Sequence, residues 1–357
     1  MSISRLAKLR AAMAGKQVDG VLIAKAENRA YLSGFTGSSG WLVITQEKAI
    51  LITDFRYTEQ AAAQAPAFTV VKPEAAPHPL VAQLCGELNI GRLGYEGDYL
   101  TVDEYALYQA ALTGVELIAV SGMVEALRMI KDEQEIEIMA RAAAITDQAW
   151  GQIISLVRPG VAERELAVEL EYIMKKLGAD GLAFEIICAS GVRSSLPHGR
   201  ASEKIIEKGD LVTFDFGAAY QGYCSDCTRT VMVGEPSAKQ REIYEIVLEA
   251  QQRGVDACKA GITDRDLDEV CRSYIREKGY ADYFGHGTGH GVGRFIHEGP
   301  KVSFRGTGEV LQPGMVVTIE PGIYLPGWGG VRIEDTVLVQ ENGCRRLTQT
   351  PKDLIIL

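Results

Sequence analysis

The first third of the chain alternates short apolar runs with turn residues and one alanine-rich stretch. Val18 to Ala24, Gly40 to Thr45 and Ala49 to Thr53 predict strands, separated by turns such as Ser38-Ser39-Gly40. Thr58 to Ala65 predicts a helix, stopped by Pro66, and Pro73, Pro77 and Pro79 mark a loop. Val115 to Val120 predicts a last strand, and Ser121 to Ile130 leads toward a second domain. At the start, Ile3, Leu6, Leu9 and Met13 recur at helical spacing among Arg5, Lys8 and Arg10. That is an amphipathic helix, without the unbroken apolar core of a signal peptide. Residues 1–125 therefore read as an α/β domain.

Residues 126–357 open differently. Asp132 followed three residues later by Glu135 is the pattern of a capping box. The stripe Ile136, Met139, Ala143, Ala149 and Ile153 continues that helix to the stop at Pro159-Gly160. A second helix is predicted from about Glu163 to Leu177, with Gly178 as its C-terminal stop.

Parts of this domain repeat. Arg158-Pro159-Gly160-Val161-Ala162-Glu163-Arg164-Glu165-Leu166 returns as Lys259-Ala260-Gly261-Ile262-Thr263-Asp264-Arg265-Asp266-Leu267. Lys208 to Gly217 returns as Pro313 to Gly322. The order is kept at a spacing of about 100 residues, too long for a solenoid of two copies. The pattern implies a pseudo-two-fold domain with a site on its axis.

Composition bounds the function. The chain has 357 residues, enough for two domains, with 46% hydrophobic and 24% charged residues. The net charge of -10, without a run of basic residues, argues against nucleic acid as a partner. No apolar stretch reaches the roughly 18 residues of a membrane span. The seven cysteines have no framework spacing and suit free thiols in a reducing compartment, the cytoplasm. Cys224 and Cys227 have C-x-x-C spacing, but the surrounding Tyr223 to Val233 reads as a strand. Side chains three apart on a strand face opposite ways, so a redox or zinc role is set aside.

Aligning the repeat makes acidic residues coincide. Asp215 matches Glu320, Asp226 matches Glu334, and His198 falls near the position of His297. Asp215 sits between Phe214 and Phe216, and Glu320 ends the apolar run Met315 to Ile319, so these carboxylates are expected to be at least half-buried. Converging buried carboxylates cost several kcal/mol each unless a cation offsets them. Two divalent ions would bring four positive charges, with His290 as a neutral nitrogen ligand. An arginine cluster is the alternative, and Arg332 is its one clear candidate. Calcium is disfavoured by the histidine, because it prefers oxygen. His286 and His290 have helical i, i+4 spacing, but Gly285, Gly287 and Gly289 disfavour a helix and predict a strand or loop.

At these residues the chain resembles a known family. The stretches Leu196-Pro197-His198-Gly199, Asp215-Phe216-Gly217, Ser225-Asp226-Cys227-Thr228-Arg229, Gly287-Thr288-Gly289-His290, His297-Glu298, Thr318-Ile319-Glu320-Pro321-Gly322 and Val331-Arg332-Ile333-Glu334-Asp335 resemble those of the pita-bread metallopeptidases. These include methionine aminopeptidase, aminopeptidase P and prolidase. Thr53-Asp54-Phe55-Arg56-Tyr57 resembles the N-terminal domain of prolidases, aminopeptidase P and creatinase. The implied fold is an α/β creatinase-like domain (1–125) followed by an α+β pita-bread domain (126–357) with a pseudo-two-fold internal repeat. The implied centre holds two divalent ions, manganese first, with cobalt, zinc or iron as alternatives. Asp215 would bind one ion, Asp226 and Glu334 would bridge both, and His290 and Glu320 would hold the other. His198, His286 and His297 match histidines that bind substrate or stabilise the transition state, and Arg332 matches a residue that steadies the site. Two metals sharing a water lower its pKa toward neutrality and supply hydroxide, with Glu320 as the proton acceptor and His198 and His297 as donors. The implied activity is hydrolysis of the Xaa-Pro bond of dipeptides. An aminopeptidase P acting on longer peptides, a metal-free creatinase-type hydrolase and a non-enzymatic member of the fold are the alternatives. The partners implied are short peptides with proline at the second position and a second copy of the chain, as a homodimer.

Overall fold

The computed structural model describes residues 2–357, with side chains from Ser4 onward. It divides into two compact units, one up to Arg128 and one from Met129 to Leu357.

The first unit is built on a six-stranded sheet. Gly20–Ile23 lies inside it, antiparallel to Trp41–Thr45 and parallel to Arg92–Tyr95. Trp41–Thr45 pairs in turn with Ala49–Ile52, and Glu116–Ala119 closes the far edge. Most residues of these inner strands are buried, which is why they read as unbroken apolar runs. Leu6, Leu9 and Met13 of helix Ser2–Lys16 pack onto one face with Tyr31, Phe35 and Val124. The proline stretch departs from expectation. Pro77 and Pro79 lie in the first turn of helix Pro77–Glu87, where the missing N–H is no loss and the fixed φ suits the helix. Helix Val102–Ala111 starts from a capping box of Thr101 and Glu104, a signal the sequence carried without its being read.

The second unit has two comparable halves. In the first, helix Glu133–Ile153 starts from the Asp132/Glu135 capping box and packs on helix Glu163–Lys176. In the second, helix Ala238–Ala257 packs on helix Asp264–Glu277. The repeated segments make matching backbone bonds. Gly160 N donates to Ile206 O as Gly261 N donates to Leu311 O, and Glu163 N donates to Lys204 O as Asp264 N donates to Glu309 O. Both glycines need positive φ, 93° and 89°, which only glycine adopts freely.

Each half places a sheet on its helices. In the first, Leu211–Phe216 lies between Ile187–Ser190 and Cys227–Met232, both antiparallel to it. In the second, Val316–Ile319 lies between Gly289–Gly291 and Asp335–Gln340. Phe214 and Phe216 face the helices, their rings 5.6 and 5.7 Å from that of Trp150. Each such buried ring contributes about 1.5–3 kcal/mol. By strand alternation Asp215 then points to the opposite face, away from the helices. The stretch predicted as one strand from Tyr223 to Val233 is interrupted: Tyr223–Cys224 and Cys227–Met232 belong to different sheets. Buried Ser225 makes the break, its hydroxyl bonding Thr146 Oγ1 at 2.5 Å and accepting from Ala218 N at 2.9 Å. All seven cysteines are free thiols. Among the described residues, no helix is long and apolar enough to cross a membrane.

Candidate metal centre

Asp215 and Asp226 come from the first half, and His290, Glu320 and Glu334 from the second. Asp215, Asp226 and Glu334 each offer a carboxylate oxygen, all within 4.8 Å of one another. His290 Nε2 lies 3.5 Å from Asp226 Oδ2 and 3.4 Å from Glu320 Oε1, so all five residues form one continuous cluster. Asp226 and Glu334 are buried, while Asp215, His290 and Glu320 are half-buried.

Each side chain is held in place. Thr228 Oγ1 donates to Glu334 Oε2 at 2.7 Å and accepts from Arg332 Nε at 3.1 Å. Thr318 Oγ1 donates to Glu320 Oε1 at 3.1 Å and accepts from His290 N at 3.0 Å. Arg332 Nη2 donates to Asp215 Oδ2 at 2.8 Å, and Arg332 Nη1 donates to Tyr324 Oη at 2.9 Å. Tyr324 in turn bonds His286 Nε2 at 2.8 Å, so Asp215, Arg332, Tyr324 and His286 form one chain of contacts.

The electrostatics are unbalanced. Among the described residues, the four carboxylates meet one permanent cation, Arg332. Burial, followed by repulsion from Glu334, Asp215 and Glu320, pushes the Asp226 carboxyl well above its usual range. Burial and then Glu320 and Asp215 do the same to Glu334. Burial pushes Glu320 up to about 8, with Arg332 opposing and Asp215 adding to the rise. Burial holds His290 below its usual pKa, and therefore neutral at pH 7. Its Nδ1 bonds Gly291 O at 3.0 Å, which puts the proton on Nδ1 and aims the Nε2 lone pair at Asp226 and Glu320. A lone pair facing carboxylate oxygens is repulsive unless a cation lies between them. Asp215 Oδ1 is buried and finds no hydrogen-bond partner among the described residues. Four carboxylate side chains, one of them with an orphaned oxygen, and a neutral imidazole fit divalent cations.

The other histidines divide. His286 sits in a loop and His290 on strand Gly289–Gly291, so the pair is not helical. Burial, with Arg332 adding to it, lowers His286 to about 4. His297 is exposed, and its ring centroid lies 4.4 Å from that of His290. Burial of part of the ring, then His290 and His198, lower its pKa. His198 is exposed on the loop after Gly191–Ser195 and is close enough for its charge to act on both His286 and His297. Sequence reasoning missed Tyr324. The signal was strand alternation: Ile323 and Leu325 enter the core, which turns Tyr324 to the other face.

The acidic cluster, with residues from both halves of the second unit, has the donor set of a metal-dependent enzyme. Residues 137–341 match metallopeptidase family M24, and residues 5–130 match the creatinase/prolidase N-terminal domain. The chain belongs to metallopeptidase family M24 and is a peptidase, and that membership implies divalent metal. A solved structure of an Xaa-Pro dipeptidase from Bacillus anthracis is 51% identical, with a TM-score of 0.98 and 100% of both chains covered. A relative from Pyrococcus furiosus named Xaa-Pro dipeptidase is 45% identical over 353 residues, 98% of this chain and 99% of its own length. The crystal structure of an X-Pro aminopeptidase from Thermotoga maritima is 41% identical, with a TM-score of 0.90, covering 97% of this chain and 100% of that one.

Proposed function

We propose that the protein is a dinuclear Xaa-Pro dipeptidase. The observation that carries the reading is the cluster of Asp215, Asp226 and Glu334 oxygens within 4.8 Å, joined to a neutral His290 and to Glu320. Full-length similarity to proteins named Xaa-Pro dipeptidase supports the substrate. Asp215 would hold one ion, Asp226 and Glu334 would bridge two, and His290 with Glu320 would hold the second. Manganese is the first choice, since four carboxylates and one imidazole suit a hard divalent ion, with cobalt, zinc and iron as alternatives.

Bound divalent ions lower the pKa of a shared water and polarise the scissile carbonyl. The chain's own groups do the rest. Glu320, which lies beside His290 at the cluster, takes the proton from the attacking water. His297 and His198 hydrogen-bond the carbonyl oxygen and the leaving imide nitrogen. His286, kept neutral and bonded to Tyr324, lines the substrate pocket with Arg332. The acidic centre attracts the free α-amino group, which restricts cleavage to N-termini. We assign the protein to the cytoplasm, on its free thiols, and to a homodimer, on the resemblance to prolidases.

The second reading is an aminopeptidase accepting longer peptides, favoured by the similarity to the Thermotoga maritima X-Pro aminopeptidase. The test is hydrolysis of Ala-Pro, Ala-Pro-Ala and Met-Ala-Ala by chelator-stripped protein, with and without manganese. Metal-dependent cleavage of Ala-Pro alone is expected. Cleavage of Ala-Pro-Ala as well would establish the aminopeptidase, and cleavage of Met-Ala-Ala alone would overturn both readings.

A further inference from the structure

One residue beyond Glu334, the strand Asp335–Gln340 begins with a second buried acid of opposite circumstances. Asp335 is fully buried and saturated with donors. Its Oδ1 accepts from Arg229 Nη2 at 2.8 Å and Thr348 Oγ1 at 3.2 Å. Its Oδ2 accepts from Gln251 Nε2 at 3.1 Å and pairs with Lys352 Nζ at 3.1 Å and Arg346 Nε at 3.3 Å. Arg229 is the centre of this cluster. It is 1% exposed, and every nitrogen is used: Nε donates to Pro351 O, Nη2 also donates to Thr350 O, and Nη1 donates to the main-chain oxygens of Thr228 and Glu334. The same guanidinium therefore grips the backbone on both sides of the Thr228–Glu334 side-chain bond. Lys352 is fixed independently, its Nζ donating to Gln251 Oε1 at 2.7 Å.

This arrangement exceeds what anchoring a C-terminal segment requires. A tail is held by apolar contacts and strand pairing, and this one has both in Ile355 and in the Met232–Ile356 bridge. A buried arginine costs several kcal/mol to desolvate and needs its partners. What Arg229 adds is a fixed position for the Glu334 carbonyl, and so for the carboxylate on the same residue. It also sets positive charge directly behind an acidic cluster that has Arg332 alone in front. We propose that Arg229 is a positioning residue of the metal centre, acting through the Glu334 main chain and itself locked by Asp335 and the Thr348–Lys352 segment. The inference rests on Glu334 being a metal ligand.

The test is titration of chelator-stripped, full-length protein with cobalt(II), reading affinity and the visible absorption of the bound ion, alongside far-UV circular dichroism. Groups that orient a metal ligand typically alter affinity about 10–100-fold when removed. Arg229→Met is expected to weaken cobalt binding by about that factor and to shift the absorption band, with Arg229→Lys recovering part of both. Lys352→Met, which touches neither ligand nor metal, is expected to shift the band in the same direction by less. A folded Arg229→Met protein with unchanged affinity and spectrum would overturn the proposal. Should Arg229→Met fail to fold, an unchanged spectrum in both Arg229→Lys and Lys352→Met would overturn it equally. Failure of the wild-type protein to bind cobalt would instead overturn the metal-centre reading itself.

Discussion

Glu334 and Asp335 are consecutive, both are buried, and they live in opposite electrostatic worlds. In front of the strand, Asp215, Asp226, Glu320 and Glu334 share one arginine, and Asp215 keeps an unbonded buried oxygen. Behind it, Asp335 alone is surrounded by Arg229, Arg346 and Lys352 and lacks nothing. The back cluster pairs its one acid with three cations and stabilises the fold. The front cluster is left short of positive charge, which is how a protein stores affinity for ions. Glu334 immediately precedes the strand that Asp335 opens, and their side chains meet different partners, so two adjacent positions serve both purposes.

The largest expected effect comes from removing a bridging carboxylate. Asp226→Ala or Glu334→Ala should lower kcat/KM for Ala-Pro at least about a thousandfold, because losing a metal ligand forfeits several kcal/mol of transition-state stabilisation. Normal turnover in either variant, with metal content unchanged, would remove Asp226 and Glu334 from the centre. Next is Asp335→Ala, which leaves three cations facing an emptied partner and should destabilise the protein by about 3–5 kcal/mol in denaturant titration. A loss no larger than that of an exposed ion pair would dissolve the contrast between the two clusters.

The pH dependence of the metal-free protein should separate the clusters in sign. Asp226, Glu320 and Glu334 have raised folded-state values, so the folded chain holds more protons than the unfolded one between about pH 4 and pH 8. Their contribution is therefore favourable at the acid end and is lost as pH rises through that window, and saturating divalent metal should abolish the fall. Asp335 behaves oppositely. Burial pushes its pKa up, but Arg229, Lys352 and Arg346 outweigh burial and hold it below the usual value. Its contribution is present above about pH 4 and is lost below it. Denaturation midpoints measured at pH 5 and pH 8, with and without metal, check the first statement. A metal-free midpoint that rises over this range would contradict it. The smallest effect is the most diagnostic: Asp226→Asn should stabilise the metal-free protein by about 0.5–2 kcal/mol while destroying metal binding, since it relieves repulsion at a site built for function. Destabilisation by this substitution would mean that the front carboxylates are structural after all.

Much of this was legible along the chain. The Asp132/Glu135 box, the stripe through Met139, Ala143 and Ile153, and Gly160 and Gly178 all marked elements that formed, because capping and periodicity are local. The proline-bearing helix Pro77–Glu87 was misread because proline favours a loop and a first helical turn alike, and only the packing of Val81, Leu84 and Cys85 decides between them. The coincidence of Asp215 with Glu320 and of Asp226 with Glu334 was visible through the repeat, since duplicated segments carry their acids at matching places.

What the sequence determined by itself is the set of chemical groups and their phase: which carboxylates lie on strands, between which apolar neighbours, and in two related copies. Tertiary structure alone decided what each group meets. Tyr324 joins His286 to Arg332, and Arg229 reaches the carbonyl of Glu334 and residues more than 100 positions away. Nothing local encodes such pairings. They exist because two sheets and their helices bury apolar faces together, and the polar groups carried inward must then find one another or a metal.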